Sequence, residues 1–213
     1  MQRAETIETN QVSMPKPDKT DRLWTVPNVL TLSRLVLTPV FLVLIFADSW
    51  YCKILALLAF TVASLTDFYD GRIARRDGTV TSFGRFMDPL ADKLLVSSAL
   101  IAFVMLGMVE AWLVGAMIVR DVVITSLRIY AIRRGKPVVT SQLAKWKTML
   151  QLVLVFGILV FINVRVVEAK LASQPIVLVG DISYWVLNVL VAAVTLVAVV
   201  SGVRYLIENR KTF

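Results

Sequence analysis

Long apolar stretches separated by short polar connections run through the chain from residue 28 onward. Several of them reach the roughly 20 residues that an α-helix needs to cross a bilayer. We place six helices at about 28–47, 52–76, 84–107, 111–134, 147–165 and 182–207. Residues 1–24 are polar and form a flexible tail, so the domain occupies residues 25–213. The pattern predicts an all-α fold, an integral membrane bundle of six transmembrane helices.

The composition favours a membrane protein over a soluble one. Hydrophobic residues make up 57% of the chain, charged residues make up 18%, and the mean hydropathy is +0.73. The chain has one cysteine and no histidine, so an intrachain disulfide is excluded and zinc sites are disfavoured. Proton transfer would therefore fall to carboxylates, lysine, arginine or tyrosine.

Basic residues alternate between the connections. The tail, the connections after the second and fourth helices, and the C-terminus are rich in Lys and Arg, whereas the connections after the first and third helices have at most one. The positive-inside rule then predicts cytoplasmic N and C termini. We assign the chain to a bacterial cytoplasmic (inner) membrane, as a multi-pass protein. The net charge of +8 suits an anionic membrane surface and anionic substrates, with no nucleic acid as partner.

Four aspartates fall between two apolar segments, at the connection of the second and third helices. A helix turns about 100° per residue, so Asp67 and Asp70 share one face and Asp88 and Asp92 share a stripe of the next helix. A hairpin of these helices would bring all four together near the cytoplasmic face. Carboxylates at such a depth are costly and usually mark a functional site.

The aspartates require a counter-charge, because like charges this close repel one another. An all-oxygen donor set suits Mg²⁺ or Mn²⁺, and two ions could share the cluster. Two-metal sites suit displacement at phosphorus. The alternative is that the aspartates are structural, salt-bridged to the basic residues around them, namely Arg72, Arg75, Arg76, Arg85 and Lys93.

The spacing of these residues carries a resemblance. The string Asp67-x2-Asp70-Gly71-x2-Ala74-Arg75-x8-Gly84-x3-Asp88-x3-Asp92 resembles, position for position, the signature of the CDP-alcohol phosphatidyltransferases. Four further segments resemble the family members that use sn-glycerol 3-phosphate: Pro27-Asn28-x-Leu30-Thr31-x2-Arg34, Arg120-Asp121 with Thr125 to Arg128, Lys145-Trp146-Lys147-Thr148-x2-Gln151, and Ser201-Gly202-x2-Tyr205. Ala144 and Asp121 depart from that pattern, where glycine and glutamate are usual.

The resemblance implies a six-helix, usually homodimeric enzyme that transfers a phosphatidyl group from CDP-diacylglycerol to an alcohol and releases CMP. For the members in question the alcohol is glycerol 3-phosphate. The resemblance makes Asp67, Asp70, Asp88 and Asp92 metal ligands, with Asp92 also the general base. It assigns the CDP pocket to Asn28, Thr31, Asp67, Gly71, Ala74, Arg75 and Gly84. The implied partners are both substrates, membrane lipids and a second copy of the chain.

An anionic acceptor needs cations. Arg120 lies well inside an apolar segment, which is costly without a function or a partner, and Arg128 lies about 80° away around the same helix. Arginine suits bidentate phosphate binding, and Lys145 would complete the pocket. The competing interpretation of Arg120 is that it pairs with Asp121 or another buried acid.

Two alternatives to this function remain open. The first keeps the chemistry and changes the alcohol, as in a cardiolipin synthase that uses phosphatidylglycerol. The second is a cation-binding membrane transporter, since aspartates within a membrane also carry ions. The chain shows no inverted repeat and no pair of broken helices, and its acids cluster at one face, which disfavours transport.

Overall fold

Six α-helices form the computed structural model of the chain. The structure describes the backbone of residues 26–77, 82–133, 142–171 and 179–209, and the side chains of residues 32–66, 93–131, 146–170 and 183–209. The helices are α1 (Val26–Phe46), α2 (Trp50–Asp77), α3 (Ser82–Met105), α4 (Ala111–Arg133), α5 (Gln142–Leu171) and α6 (Val179–Glu208).

All six predicted helices are confirmed, and their bounds agree closely except at α5. That helix begins at Gln142 and ends at Leu171, whereas the prediction covered residues 147–165. The prediction followed the apolar run and stopped at charged residues. Gln, Lys, Glu and Ala are good helix formers, so the backbone continues as a helix beyond the apolar run at both ends. Lys145, which the prediction placed at the start of this helix, lies in the first turn of α5.

The helices pack as two groups. In the first group α1 contacts both α2 and α3, and in the second group α6 contacts both α4 and α5. Contacts of α3 with α4 and α5, and of α2 with α5, join the groups. The core between them is built from large apolar side chains with little or no exposure, including Phe41, Phe60, Phe103, Met117 and Ile158. The rings of Phe41 and Phe60 lie 5.7 Å apart between centroids, in a tilted arrangement.

The outer surface of the bundle is apolar. Large hydrophobic side chains on every helix point outward, with Val43 72% exposed and Trp185 69% exposed. Such a surface is costly in water and suits a lipid environment. Within the described residues, two segments are long and apolar enough to cross a membrane, Trp146–Lys170 in α5 and Ser183–Glu208 in α6. Shorter apolar stretches lie in α1, α2 and α3.

A polar clasp fixes the α3–α4 turn against α6. The backbone N–H of Glu110 donates to Oδ1 of Asn188 at 2.8 Å, and Nδ2 of Asn188 donates to the carbonyl of Met108 at 3.3 Å. Gly107 in the same turn has a φ of +70°, a conformation that glycine adopts without strain. The clasp sets the register of α4 against α6, and about three turns further along α4 this register brings Arg120 opposite Ala198.

Candidate active site

The predicted aspartates lie on the adjoining ends of two helices. Asp67 and Asp70 fall in the last three turns of α2, and Asp88 and Asp92 fall in the first three turns of α3, with residues 78–81 between the helices. The side chains of all four lie outside the described residues. The same holds for the residues assigned to the CDP pocket: Asn28 and Thr31 on α1, Gly71, Ala74 and Arg75 on α2, and Gly84 on α3.

Arg120 is held by three hydrogen bonds. Its Nε donates to the carbonyl of Ala198 at 2.9 Å, one terminal nitrogen donates to Oδ1 of Asp121 at 3.0 Å, and the other donates to Oγ of Ser201 at 2.6 Å. The hydroxyl of Ser201 donates in turn to the carbonyl of Ala198 at 2.9 Å. The side chain is only 12% exposed. The pairing of Arg120 with Asp121, the competing interpretation from the sequence, is therefore present.

Asp121 is the centre of a buried ion-pair network. Nζ of Lys147 on α5 lies 2.6 and 2.5 Å from its two carboxylate oxygens. The side chain of Lys147 is 3% exposed and that of Asp121 is 7% exposed. Burying both charges is costly, and their close approach with additional hydrogen bonds offsets much of that cost. The carboxylate thus joins α4 to α5, while Arg120 joins α4 to α6.

The network lies beside the aspartate segment. Nζ of Lys93 on α3 donates to the main-chain carbonyl of Asp121 at 3.2 Å, and Oγ1 of Thr125 donates to the same carbonyl at 2.7 Å. Lys93 directly follows Asp92 in the chain, so the fold brings this part of α4 to the level of the proposed general base. Four helices, α3 to α6, meet around one acidic residue.

Of the two other residues predicted to bind the acceptor phosphate, the structure describes the side chain of Arg128 but not that of Lys145. Arg128 lies eight residues after Arg120, about 12 Å further along α4. Its Nε is buried and has no hydrogen-bond partner within the described part of the chain. A buried donor of this kind suits an anionic ligand. The side chain of Lys145 lies outside the described residues.

Sequence reasoning did not assign roles to Lys147, Ser201 or Gly202, although all three belong to segments that carried the resemblance. A charged residue inside an apolar helix was the available signal for Lys147. For Ser201 and Gly202, only the packing of α4 on α6 reveals the contact. A Cβ on Gly202 would lie 3.0 Å from Nε and 3.1 Å from Cγ of Arg120, so a side chain at this position would displace the arginine by a few tenths of an ångström.

Comparisons with known proteins agree with the signature. A protein of Bacillus subtilis (strain 168) named CDP-diacylglycerol–glycerol-3-phosphate 3-phosphatidyltransferase is 34% identical over 199 residues, 88% of this chain and 96% of its own. A protein of Rickettsia bellii (strain RML369-C) with the same name is 33% identical over 189 residues, 88% of this chain and 96% of its own.

A protein of Mycobacterium tuberculosis (strain H37Rv) named probable phosphatidylglycerophosphate synthase is 41% identical over 135 residues, 62% of this chain and 64% of its own. Residues 24–200, most of the chain, match the family model of the CDP-alcohol phosphatidyltransferases. The matched region contains the aspartate segment and all of the described network except Ser201 and Gly202. The chain belongs to the CDP-alcohol phosphatidyltransferase family.

Proposed function

We propose that this enzyme transfers the phosphatidyl group of CDP-diacylglycerol to sn-glycerol 3-phosphate, giving phosphatidylglycerophosphate and CMP. The observation that carries the proposal is the family signature on the adjoining ends of α2 and α3. The acceptor follows from the names of the relatives, of which two align with 88% of this chain. A cation-rich network beside the signature supports an anionic acceptor.

The proposed setting is a bacterial cytoplasmic membrane. All six helices cross the bilayer in this proposal, with both termini and the active site at the cytoplasmic face and a second copy completing a homodimer. The apolar outer surface and the two long apolar helices support membrane residence. The alternation of basic connections supports the orientation.

The donor set for a divalent metal comes from the aspartates. Within the described side chains, no group of three or more His, Cys, Asp and Glu residues is arranged to hold an ion. The proposed ligands are the four signature aspartates, Asp67, Asp70, Asp88 and Asp92, whose side chains lie outside the described residues. Their oxygen chemistry fits Mg²⁺ or Mn²⁺, and four carboxylates suffice for two ions that share ligands. Bound ions would neutralise charge on the diphosphate.

In this proposal, residues of the chain bind the acceptor and take up the proton that it releases. The primary hydroxyl of glycerol 3-phosphate attacks the lipid-side phosphorus, the bond from that phosphorus to the CMP oxygen breaks, and CMP leaves. Asp92 takes the hydroxyl proton. Arg120, Arg128 and Lys145 hold the phosphate of the acceptor, so that the hydroxyl is oriented for in-line attack.

An acceptor assay tests the proposal. Purified protein in mixed micelles with labelled CDP-diacylglycerol should release CMP in the presence of glycerol 3-phosphate and form phosphatidylglycerophosphate. Product with phosphatidylglycerol and none with glycerol 3-phosphate would instead identify a cardiolipin synthase. Cation flux through reconstituted vesicles without CMP release would favour a transporter.

Removing divalent metal is expected to stop the reaction. With EDTA in excess, CMP release should fall below about 1% of its initial rate, since the diphosphate would lose its main charge stabilisation. Adding back Mg²⁺ or Mn²⁺ should restore the rate, and titration of each ion would identify the better cofactor. Full activity after exhaustive chelation would contradict the assignment of the aspartates.

Arg128→Ala is expected to raise the KM for glycerol 3-phosphate by about 10-fold or more, because it removes a charge-assisted contact to the acceptor phosphate. The KM for CDP-diacylglycerol should stay within about twofold of its original value, because this proposal assigns Arg128 to the acceptor phosphate alone. Initial rates at varied concentrations of each substrate give both constants. Arg204→Ala provides a control, because Arg204 is exposed and pairs with Glu208 at 2.6 Å on α6.

A further inference from the structure

Among the described side chains, two cations, Arg120 and Lys147, contact the one carboxylate of Asp121 in the buried network on α3 to α6. Asp121 is surrounded by Arg120 and Lys147 at its carboxylate and by Lys93 at its main-chain carbonyl. Two cations against one carboxylate leave a surplus of positive charge among the described side chains. A dianionic phosphate is a ligand that such a surplus suits.

We propose that Asp121, Ser201 and Gly202 are positioning residues for the acceptor phosphate, acting through Arg120. This inference rests on the proposed function, and it adds residues from α4 and α6 that touch no substrate themselves. They fix the guanidinium in one orientation before the acceptor arrives, which reduces the ordering cost of binding.

The hydrogen bonds of Arg120 show how the orientation is set. A guanidinium has five N–H groups, and three of them are used within the described part of the chain, by Ala198, Asp121 and Ser201. The other two, one on each terminal nitrogen, remain for an anion. Because all three nitrogens are anchored, these two N–H groups have fixed directions.

Gly202 determines how closely α6 approaches the arginine. The atoms of Arg120 that a Cβ at Gly202 would meet are Nε at 3.0 Å, Cγ at 3.1 Å and Cδ at 3.6 Å. An alanine there would move the arginine by a few tenths of an ångström without removing any polar group. The guanidinium would shift relative to both Ala198 and Ser201, so Gly202→Ala tests position alone.

Lys147 has a different role from that of Arg120, because it contacts the acid and not the acceptor. Its ammonium contacts both oxygens of Asp121 and its side chain is 3% exposed, so it holds the carboxylate in place and does not reach an open pocket. Lys147 therefore fixes the carboxylate of Asp121, and Oδ1 of that carboxylate also accepts the hydrogen bond from Arg120. The chain of contacts runs from α5 through Asp121 to the arginine that binds phosphate.

Kinetics of the full-length enzyme test this inference. Ser201→Ala should raise the KM for glycerol 3-phosphate by about 10-fold, and Gly202→Ala by about three- to 10-fold, while the KM for CDP-diacylglycerol stays within about twofold. Asp121→Asn should raise the same KM further, and Asp121→Glu, which keeps the charge, should recover part of the loss.

The matched control is Thr195→Ala. Thr195 is buried on the same face of α6 and contacts the carbonyl of Leu113 on α4 at 3.5 Å, two turns away from Arg120. It should leave both KM values unchanged. Equal changes for both substrates in Ser201→Ala and Thr195→Ala, or no change in Ser201→Ala and Gly202→Ala, would overturn the positioning role. Absence of turnover with glycerol 3-phosphate in the unsubstituted enzyme would instead reject the proposed function, and the inference with it.

Discussion

Asp88→Asn is expected to lower the rate of CMP release by about 1,000-fold or more while the protein remains folded. Asparagine keeps the size of the side chain and removes its charge, so a metal ion shared by the carboxylates would lose an anionic ligand. Initial rates in mixed micelles measure the effect, and circular dichroism and thermal denaturation check the fold. The loss should persist at saturating concentrations of both substrates, because the change affects the transition state.

Asp77→Asn is the control for this experiment. Asp77 is the last residue of α2, in the same acidic segment but off the spacing of the signature. Each substitution removes one negative charge, and the two positions are eleven residues apart in the chain. Asp77→Asn should leave the rate within about twofold. Comparable losses in both variants would mean that the overall charge of the segment matters and that Asp88 has no specific role as a metal ligand. Retained activity in Asp88→Asn would remove the basis for the metal site.

Lys147→Met is expected to cost the protein about 3 kcal/mol in free energy of unfolding. The substitution keeps most of the volume of the side chain, but it takes away the cation that contacts both oxygens of buried Asp121. Unfolding in mixed micelles with increasing denaturing detergent, followed by tryptophan fluorescence, measures the change. Because Arg120 still pairs with Asp121, the loss should be less than that of a wholly unpaired buried charge.

Two variants make this result specific. Lys170→Met removes a lysine from the same helix, where the ammonium is exposed and lies 4.1 Å from the ring centroid of Trp50, and it should cost less than about 1 kcal/mol. Combining Asp121→Asn with Lys147→Met should recover part of the loss, since both charges of the pair are then gone. If Lys147→Met and Lys170→Met lose the same stability, the buried pair contributes little.

The fold was largely predictable from the sequence, because each helix is a long apolar run that ends in polar residues. The prediction was wrong at the ends of α5, where residues 142–146 and 166–171 are mixed in character yet helical. Apolar length records where a helix is surrounded by lipid or core. It does not record where its backbone hydrogen bonding stops, because polar residues continue a helix equally well.

The candidate site was predictable in part. The signature located the aspartates along the chain, and their assembly around metal stays a prediction because their side chains lie outside the described residues. Arg120 was recognisable as a buried charge, and its two interpretations could not be separated, since pairing depends on which faces of α4, α5 and α6 meet. The structure shows the ion pair with Asp121, and within the described residues two N–H groups of the same arginine have no protein partner, so the two interpretations are compatible.

The clustering of charge on α4 also bears on how the protein is made. In the proposed six-span arrangement, α4 leaves the ribosome carrying Arg120 and Asp121 before Lys147 and Ser201 have emerged. Lys93 on α3 is the one member of the network already present. The fourth span carries a charged pair that is costly to place in lipid alone, so its stable integration waits on the two strongly apolar spans that follow it.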